Sequence, residues 1–226
     1  FNFLKMNFSN KNSIITGSSA GIGKASADMF MSYAANVVIN GASLNGKKVA
    51  EELNCKYSSK AIFIQADISK VEECEKLFNE SLKQLGKIDV LVNCAGIVPV
   101  GTVLDFDEEE YNNAFNINVK GTLFMSQLLI KHFLENGKGN IVNVGSIAGL
   151  IGPKNRALYS ATKGAMISFT RALASDFVDK NIRVNYVCPG MVYSPSLEER
   201  INNTENPEVT LEQFKNNVPI KRIGTV

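Results

Sequence analysis

Four side chains in this sequence have the chemistry to move a proton to or from an oxygen, and their spacing lets them act together. Tyr159 and Lys163 stand four residues apart at the head of a helical stretch, Tyr159–Phe177, which puts both on one helix face. An ammonium close to a phenol lowers the phenol's pKa and makes it a proton donor or acceptor near neutral pH. Ser146 lies thirteen residues before the tyrosine, just after a short apolar run, where its hydroxyl can hold a substrate oxygen. Asn118 lies a further twenty-eight residues back, inside a stretch that reads as one helix, Glu108–Leu134. Asparagine is unfavourable inside a helix, and a kink with a bound water accounts for it. Each residue has a plainer reading alone: Tyr159 as core, Lys163 as a solvated stem, Asn118 facing water. Their joint spacing, on loops that open at one sheet edge, argues for the chemical reading.

A second group could hold a phosphorylated cofactor. Thr16-Gly17-Ser18-Ser19-Ala20-Gly21-Ile22-Gly23 separates an apolar run from a helical one. Such a turn lets backbone approach a pyrophosphate, which the free N–H groups of the following helix attract. The glycines at 17, 21 and 23 do not follow the commoner Gly-x-Gly-x-x-Gly order, and the Lys-Ser/Thr ending of a triphosphate loop is absent. Asp67, followed by Ile68, comes after the third apolar run. Its carboxylate either accepts from an adenine amino group or caps the helix start at Ser69–Glu72. Asn93-Cys94-Ala95-Gly96 follows the fourth run, with small residues that let a cofactor lie against backbone.

These loops need elements to position them. Apolar runs occur at Ser13–Thr16, Val37–Ile39, Ala61–Ile64, Ile88–Val92, Asn140–Val144 and Arg183–Val187, with helical patterns such as Ile22–Tyr33 and Glu72–Leu85 between them. Runs apolar throughout, each followed by a helix, predict a parallel sheet covered on both faces. Right-handed crossovers make it a doubly wound α/β (Rossmann) fold in one domain, with ligands beyond the carboxyl ends of the strands.

Composition removes several function classes. The chain has 226 residues, 45% apolar and 20% charged, with a net charge of +2 and no basic run, so neither nucleic acid nor a membrane is an expected partner. No apolar run reaches the ~18 residues of a membrane-spanning helix. Cys55, Cys74, Cys94 and Cys188 form no CxxC pair and read as small hydrophobes of a reducing, cytoplasmic compartment. His132, the one histidine, reads as a helix-end residue, so no metal site is expected. Phe1–Lys5 precede Met6 and read as a tag or leader remnant outside a domain spanning 6–226.

Together, TGSSAGIG at 16–23, NCAG at 93–96, NINVKG at 116–121, GS ending at Ser146, YSATK at 159–163 and CPG at 188–190 resemble the short-chain dehydrogenase/reductase family. The resemblance runs from about Phe8 to Val226. It implies an NAD(P)-dependent enzyme that transfers hydride directly between nicotinamide and a carbonyl or secondary alcohol. By that resemblance Tyr159 is the acid/base, and Lys163 binds the nicotinamide ribose and tunes Tyr159. Ser146 orients the carbonyl and Asn118 holds a proton-relay water. Gly17, Ser19, Gly21, Ile22, Gly23, Asp67, Ile68, Asn93, Ala95 and Gly96 line the cofactor, and Pro189, Gly190, Val192 and Ser194 flank its carboxamide end. Two departures stand out. Cys94 replaces an asparagine common in the family, and the sequence stops at Val226, where the family continues with a helix and a seventh strand. A homo-oligomer, dimer or tetramer, is expected through the two long helices, with Leu158, Ala161, Ala165, Met166 and Phe169 offering apolar surface.

Cofactor and substrate are less sharply marked. The turn after the second run, Asn40-Gly41-Ala42-Ser43, has no carboxylate to repel a 2′-phosphate, which leans to NADP over NAD, although no arginine stands there and only Lys47 and Lys48 offer positive charge. Pro153–Arg156, Cys188–Arg200 and Gly101–Asp105 resemble 3-hydroxybutyrate and sugar-acid dehydrogenases of the family. That implies a substrate carboxylate clamped by Arg156 with help from Arg200. The alternatives are an NADPH-dependent 3-oxoacyl thioester reductase and a non-catalytic cofactor-binding sensor or scaffold. Residues 191–218, polar and rich in asparagine, read as a substrate lid.

Overall fold

The computed structural model describes residues 7–226; the segment read as a tag or leader lies outside them. Six strands form one parallel sheet in the order β3-β2-β1-β4-β5-β6. They are β1 Asn12–Ile15, β2 Asn36–Gly41, β3 Ala61–Gln65, β4 Val90–Asn93, β5 Gly139–Val144 and β6 Ile182–Val187. Every pairing is parallel, so every connection is a crossover, and the helices cover both faces. The helices α1 Gly21–Ser32, α2 Asn45–Lys56, α3 Val71–Leu85, α4 Glu108–Phe115, α5 Thr122–Asn136 and α6 Ala157–Phe177 do this covering. One apolar core gathers Ile14, Val38, Leu77, Leu91, Leu129, Phe133 and Ile141; the other gathers Ile15, Val37, Ile39, Met31 and Leu53. Alternate residues of β1 and β2 thus feed opposite cores, which is why those runs are apolar throughout.

The order of strands reverses between β1 and β4, so the loops after these two strands diverge there and leave a crevice. Beyond β6 the chain forms a two-residue strand β7 Val192–Tyr193, then α7 Pro195–Asn202 and α8 Pro207–Asn216. A strand β8, Gly224–Thr225, pairs with β7. Leu197 and Ile201 bury the inner face of α7, so the polar segment is anchored despite its composition.

Several expectations need correction. The stretch 108–134 is not one helix: a π-helical turn, Asn116–Gly121, separates α4 from α5. Such a turn carries one extra residue per turn and re-aims a side chain inward. His132 lies in the last turn of α5 but caps nothing; it is buried, and its Nε2 accepts from Ile88 N–H at 3.1 Å. Of the five α6 residues expected to offer apolar surface, Leu158 and Met166 are buried within the chain itself. Asp67 does not cap α3, whose N-cap is Lys70; its carboxylate accepts from Ser69 N–H at 3.0 Å in a local turn.

Candidate active site

The glycine turn is held open by its neighbours. Gly17 has φ +64°, and a Cβ there would come within 2.6 Å of Ala95 Cα, so the first and fourth strand-end loops touch backbone to backbone. Thr16 Oγ1 locks that contact by accepting from Cys94 N–H at 3.0 Å and Ala95 N–H at 3.2 Å. Gly23 packs on the Gly17 carbonyl, whereas a Cβ on Gly21 would find only Ser194 and Pro195 nearby, no closer than 3.7 Å. Gly21 opens α1, and no side chain caps that helix start. A small, uncrowded cradle with free N–H groups faces the head of α7, and it suits a pyrophosphate. Pro189 and Gly190 close the same crevice from β6, and the Pro189 carbonyl accepts from Ile147 N–H at 3.1 Å. Val192 lies in β7, and Ser194 caps α7 by accepting from Leu197 N–H. Asn93 faces inward instead, donating to Asn143 Oδ1 at 2.9 Å and Ser126 Oγ at 3.2 Å, so its role is to tie β4 to β5.

The four proton-handling candidates converge. Ser146 leaves β5 and caps a single 3-10 turn, accepting from Ala148 N–H at 3.1 Å, and its side chain lies near enough to the Tyr159 phenol to lower its pKa. Lys163 is buried; its Nζ donates to the Val144 carbonyl at 3.2 Å and stands 5.7 Å from the Tyr159 ring centre. Burial pulls its pKa down to about 8. Burial raises the pKa of Tyr159, against the lowering effects of the Ser146 side chain, Arg200 and Arg156. Arg200 and Arg156 add positive charge near the phenol to that of Lys163, whose Nζ stands over the ring. Asn118 sits in the π turn with its side chain already engaged: Oδ1 accepts from Ile97 N–H at 2.8 Å, and Nδ2 donates to the Ile97 carbonyl and Thr162 Oγ1. Any water it holds must use what those three bonds leave.

Arg156 and Arg200 arrive from separate elements. A bridge between Gly101 and Arg156, with Gly101 N–H donating to the Asn155 carbonyl at 3.0 Å, zips two loops together ahead of α6. Arg200 projects from α7, with Nε donating to the Ser196 carbonyl at 3.1 Å. Both are half-buried and act on Tyr159, and the charge of Arg156 helps hold the pKa of Arg200 down. No ion pair among the described residues includes either. Three members of this neighbourhood carried no assigned role in the sequence: Thr16, Thr162 and Tyr186. Thr16 lies inside the glycine motif, and Thr162 follows Tyr159 by three positions on the helix. Tyr186 has no local signal at all.

Among the described residues no helix is long and apolar enough to cross a membrane, and no cluster of His, Cys, Asp or Glu suits a metal. Residues 11–206 match the short chain dehydrogenase family model. An uncharacterized oxidoreductase of Thermotoga maritima is 41% identical over 219 residues, covering 97% of this chain and 86% of that protein. Dehydrogenase/reductase SDR family member 6 of Rattus norvegicus is 37% identical over 204 residues, covering 90% and 80%. Among solved structures, levodione reductase superposes with a TM-score of 0.92 at 26% identity, covering 97% of this chain and 87% of that one. ElxO, solved with NADP bound, gives 0.87 at 33%, covering 95% and 86%. The cradle, the converging hydroxyls and these matches agree: the chain belongs to the short-chain dehydrogenase/reductase family and is an NAD(P)-dependent oxidoreductase.

Proposed function

We propose that this enzyme interconverts a 3-oxo or related oxo acid and its secondary alcohol, a hydroxy acid or sugar acid, with NADP(H) preferred over NAD(H). The observation that carries the substrate class is the pair of half-buried arginines beside Tyr159 that have no carboxylate partner among the described residues. Two guanidinium groups kept partly from water and facing a reaction centre need an anion, and a carboxylate fits their planar forks. The cofactor preference rests on the end of β2. No acid stands there, and a Cβ on Gly41 would lie 2.1 Å from Ser19 Oγ, so a side chain at this position would first have to turn the Ser19 hydroxyl aside. The similar protein ElxO was solved with NADP.

When bound, the nicotinamide supplies or accepts the hydride. The Ser146 side chain lies near enough to the Tyr159 phenol to lower its pKa, and both hydroxyls are to donate to one carbonyl oxygen and stabilise the charge that grows on it. Tyr159 gives up its proton to that oxygen, and the charges of Arg200 and Arg156 favour the phenolate that remains. Lys163, with a pKa near 8, can carry a proton toward or away from the site around neutral pH. Asn118 holds the Gly96–Ile97 loop against Thr162, which keeps the fourth strand-end loop aligned with α6. Gly17, Ser19, Gly21, Ile22 and Gly23 hold the pyrophosphate end, Asp67 and Ile68 the adenosine end, and Ala95, Gly96, Pro189, Gly190, Val192 and Ser194 the remainder. Residues 191–218 serve as the lid, with Arg200 as its substrate-facing charge.

The test is NADPH and NADH titration followed by turnover on acetoacetate and on a 3-oxoacyl thioester. NADPH-dependent reduction of acetoacetate, with a KM at least ~10-fold higher in Arg156→Met, supports the reading. Preference for the thioester, with KM indifferent to Arg156→Met, would make the enzyme a 3-oxoacyl thioester reductase. Cofactor binding without turnover on either would leave a sensor or scaffold.

A further inference from the structure

The edge strand of the sheet carries a side chain that reaches two of the reacting residues without touching the reacting atoms. Tyr186 pairs with Asn143 across β5 and β6, and paired residues of a parallel sheet point to the same face. Asn143 donates to Thr170 on α6, so Tyr186 faces α6 as well. Its hydroxyl donates to the Lys163 carbonyl at 3.1 Å and accepts from the Ser146 backbone N–H at 3.3 Å. Among the described residues no other acceptor is hydrogen-bonded to that N–H. The ring fills the space above Gly145: a Cβ at that glycine would overlap the phenol. Tyr186 thus ties together the end of β5, the second turn of α6 and the edge strand two residues ahead of Cys188-Pro189-Gly190.

We infer that Tyr186 is a positioning residue for the reaction, setting the distance between the Ser146 hydroxyl and the α6 segment that carries Tyr159 and Lys163. Ser146 has a single main-chain donor near the sheet end, and Tyr186 decides where it points. A swing of Ser146 carries its side chain away from the Tyr159 phenol. The Ser146 side chain lowers the pKa of Tyr159 against burial, so its withdrawal leaves the phenol a weaker acid. The ring alone cannot do this, because the two bonds come from the hydroxyl. The inference rests on the family's chemistry and not on which carbonyl is the substrate.

The test uses the full chain with Tyr186→Phe, which keeps the ring over Gly145, and with 4-aminophenylalanine at position 186, which restores a donor and an acceptor. Alcohol oxidation is followed with NADP across pH, since its rate reports the ionised tyrosine. Tyr186→Phe should lower kcat ~3- to 10-fold and move the rising limb of the profile to higher pH, with NADPH affinity unchanged. The amino variant should restore the wild-type profile. Exchange of the Ser146 amide, read by NMR without substrate, should quicken at least ~10-fold in the Phe variant while the rest of α6 stays protected. This second readout stands even where the wild type turns over neither test substrate. A Phe variant with the wild-type profile and Ser146 exchange overturns the inference, whatever its melting temperature. So does an amino variant that behaves like Phe.

Discussion

Replacing Lys163 by methionine should make the cofactor-free protein more stable while removing its activity. In the folded chain, burial pulls the lysine from its ordinary 10.5 to about 8. Between these values the unfolded chain binds the proton and the folded chain does not, so stability rises with pH across that window. Below about pH 8 the buried charge is held against its preference. At ~1.4 kcal/mol per pH unit that gap costs ~3 kcal/mol. Methionine keeps most of the stem and removes the charge, but loses the hydrogen bond to the Val144 carbonyl, worth ~1 kcal/mol. The balance is a gain of ~2 kcal/mol at pH 7, or ~4–8 °C in Tm for a domain of this size. Calorimetry of both proteins from pH 6 to 11 reads it directly. The variant should melt higher at pH 7, and the advantage should close as pH approaches 10.5. A variant no more stable than wild type at pH 7, or an advantage independent of pH, would refute the claim that the site stores its lysine as a disfavoured buried charge.

Other perturbations address the scaffold. Gly17→Ala places a Cβ 2.6 Å from Ala95 Cα at a positive φ, so it should cost ~2 kcal/mol or more and abolish the rise in Tm that NADPH gives the wild type. His132→Leu leaves the Ile88 N–H buried without its acceptor and should lower Tm by ~4–8 °C, with cofactor affinity unchanged in fluorescence titration.

Much of the site was legible because its motifs are local. The glycine turn, the Tyr159–Lys163 spacing and the strand-end loops each lie within a few residues, and strand alternation with helices places them at one sheet edge. What escaped depends on contacts between distant segments. Tyr186 acts because β6 pairs with β5 in one register, which brings residue 186 beside Gly145 and Ser146. His132 finds the Ile88 N–H across forty-four positions, so a helix-end reading had no means to detect it. The π turn at Asn116–Gly121 follows from seating Asn118 against Ile97 and Thr162, a demand of tertiary packing that helix propensity does not express. Arg200 is one of several charges on a polar stretch until Leu197 and Ile201 seat α7 against the body of the chain and leave Arg200, beside that buried face, half-buried near Tyr159.

The most direct test of Tyr159 as the acid/base is Tyr159→Phe, assayed for NADPH affinity and for hydride transfer in a single turnover. Phenylalanine keeps the ring beside Ser146 and Lys163 and removes only the acid. The rate should fall by about three orders of magnitude or more, with NADPH affinity within about 3-fold of wild type. A variant that transfers hydride at the wild-type rate would contradict that role and remove Tyr159 from the reaction.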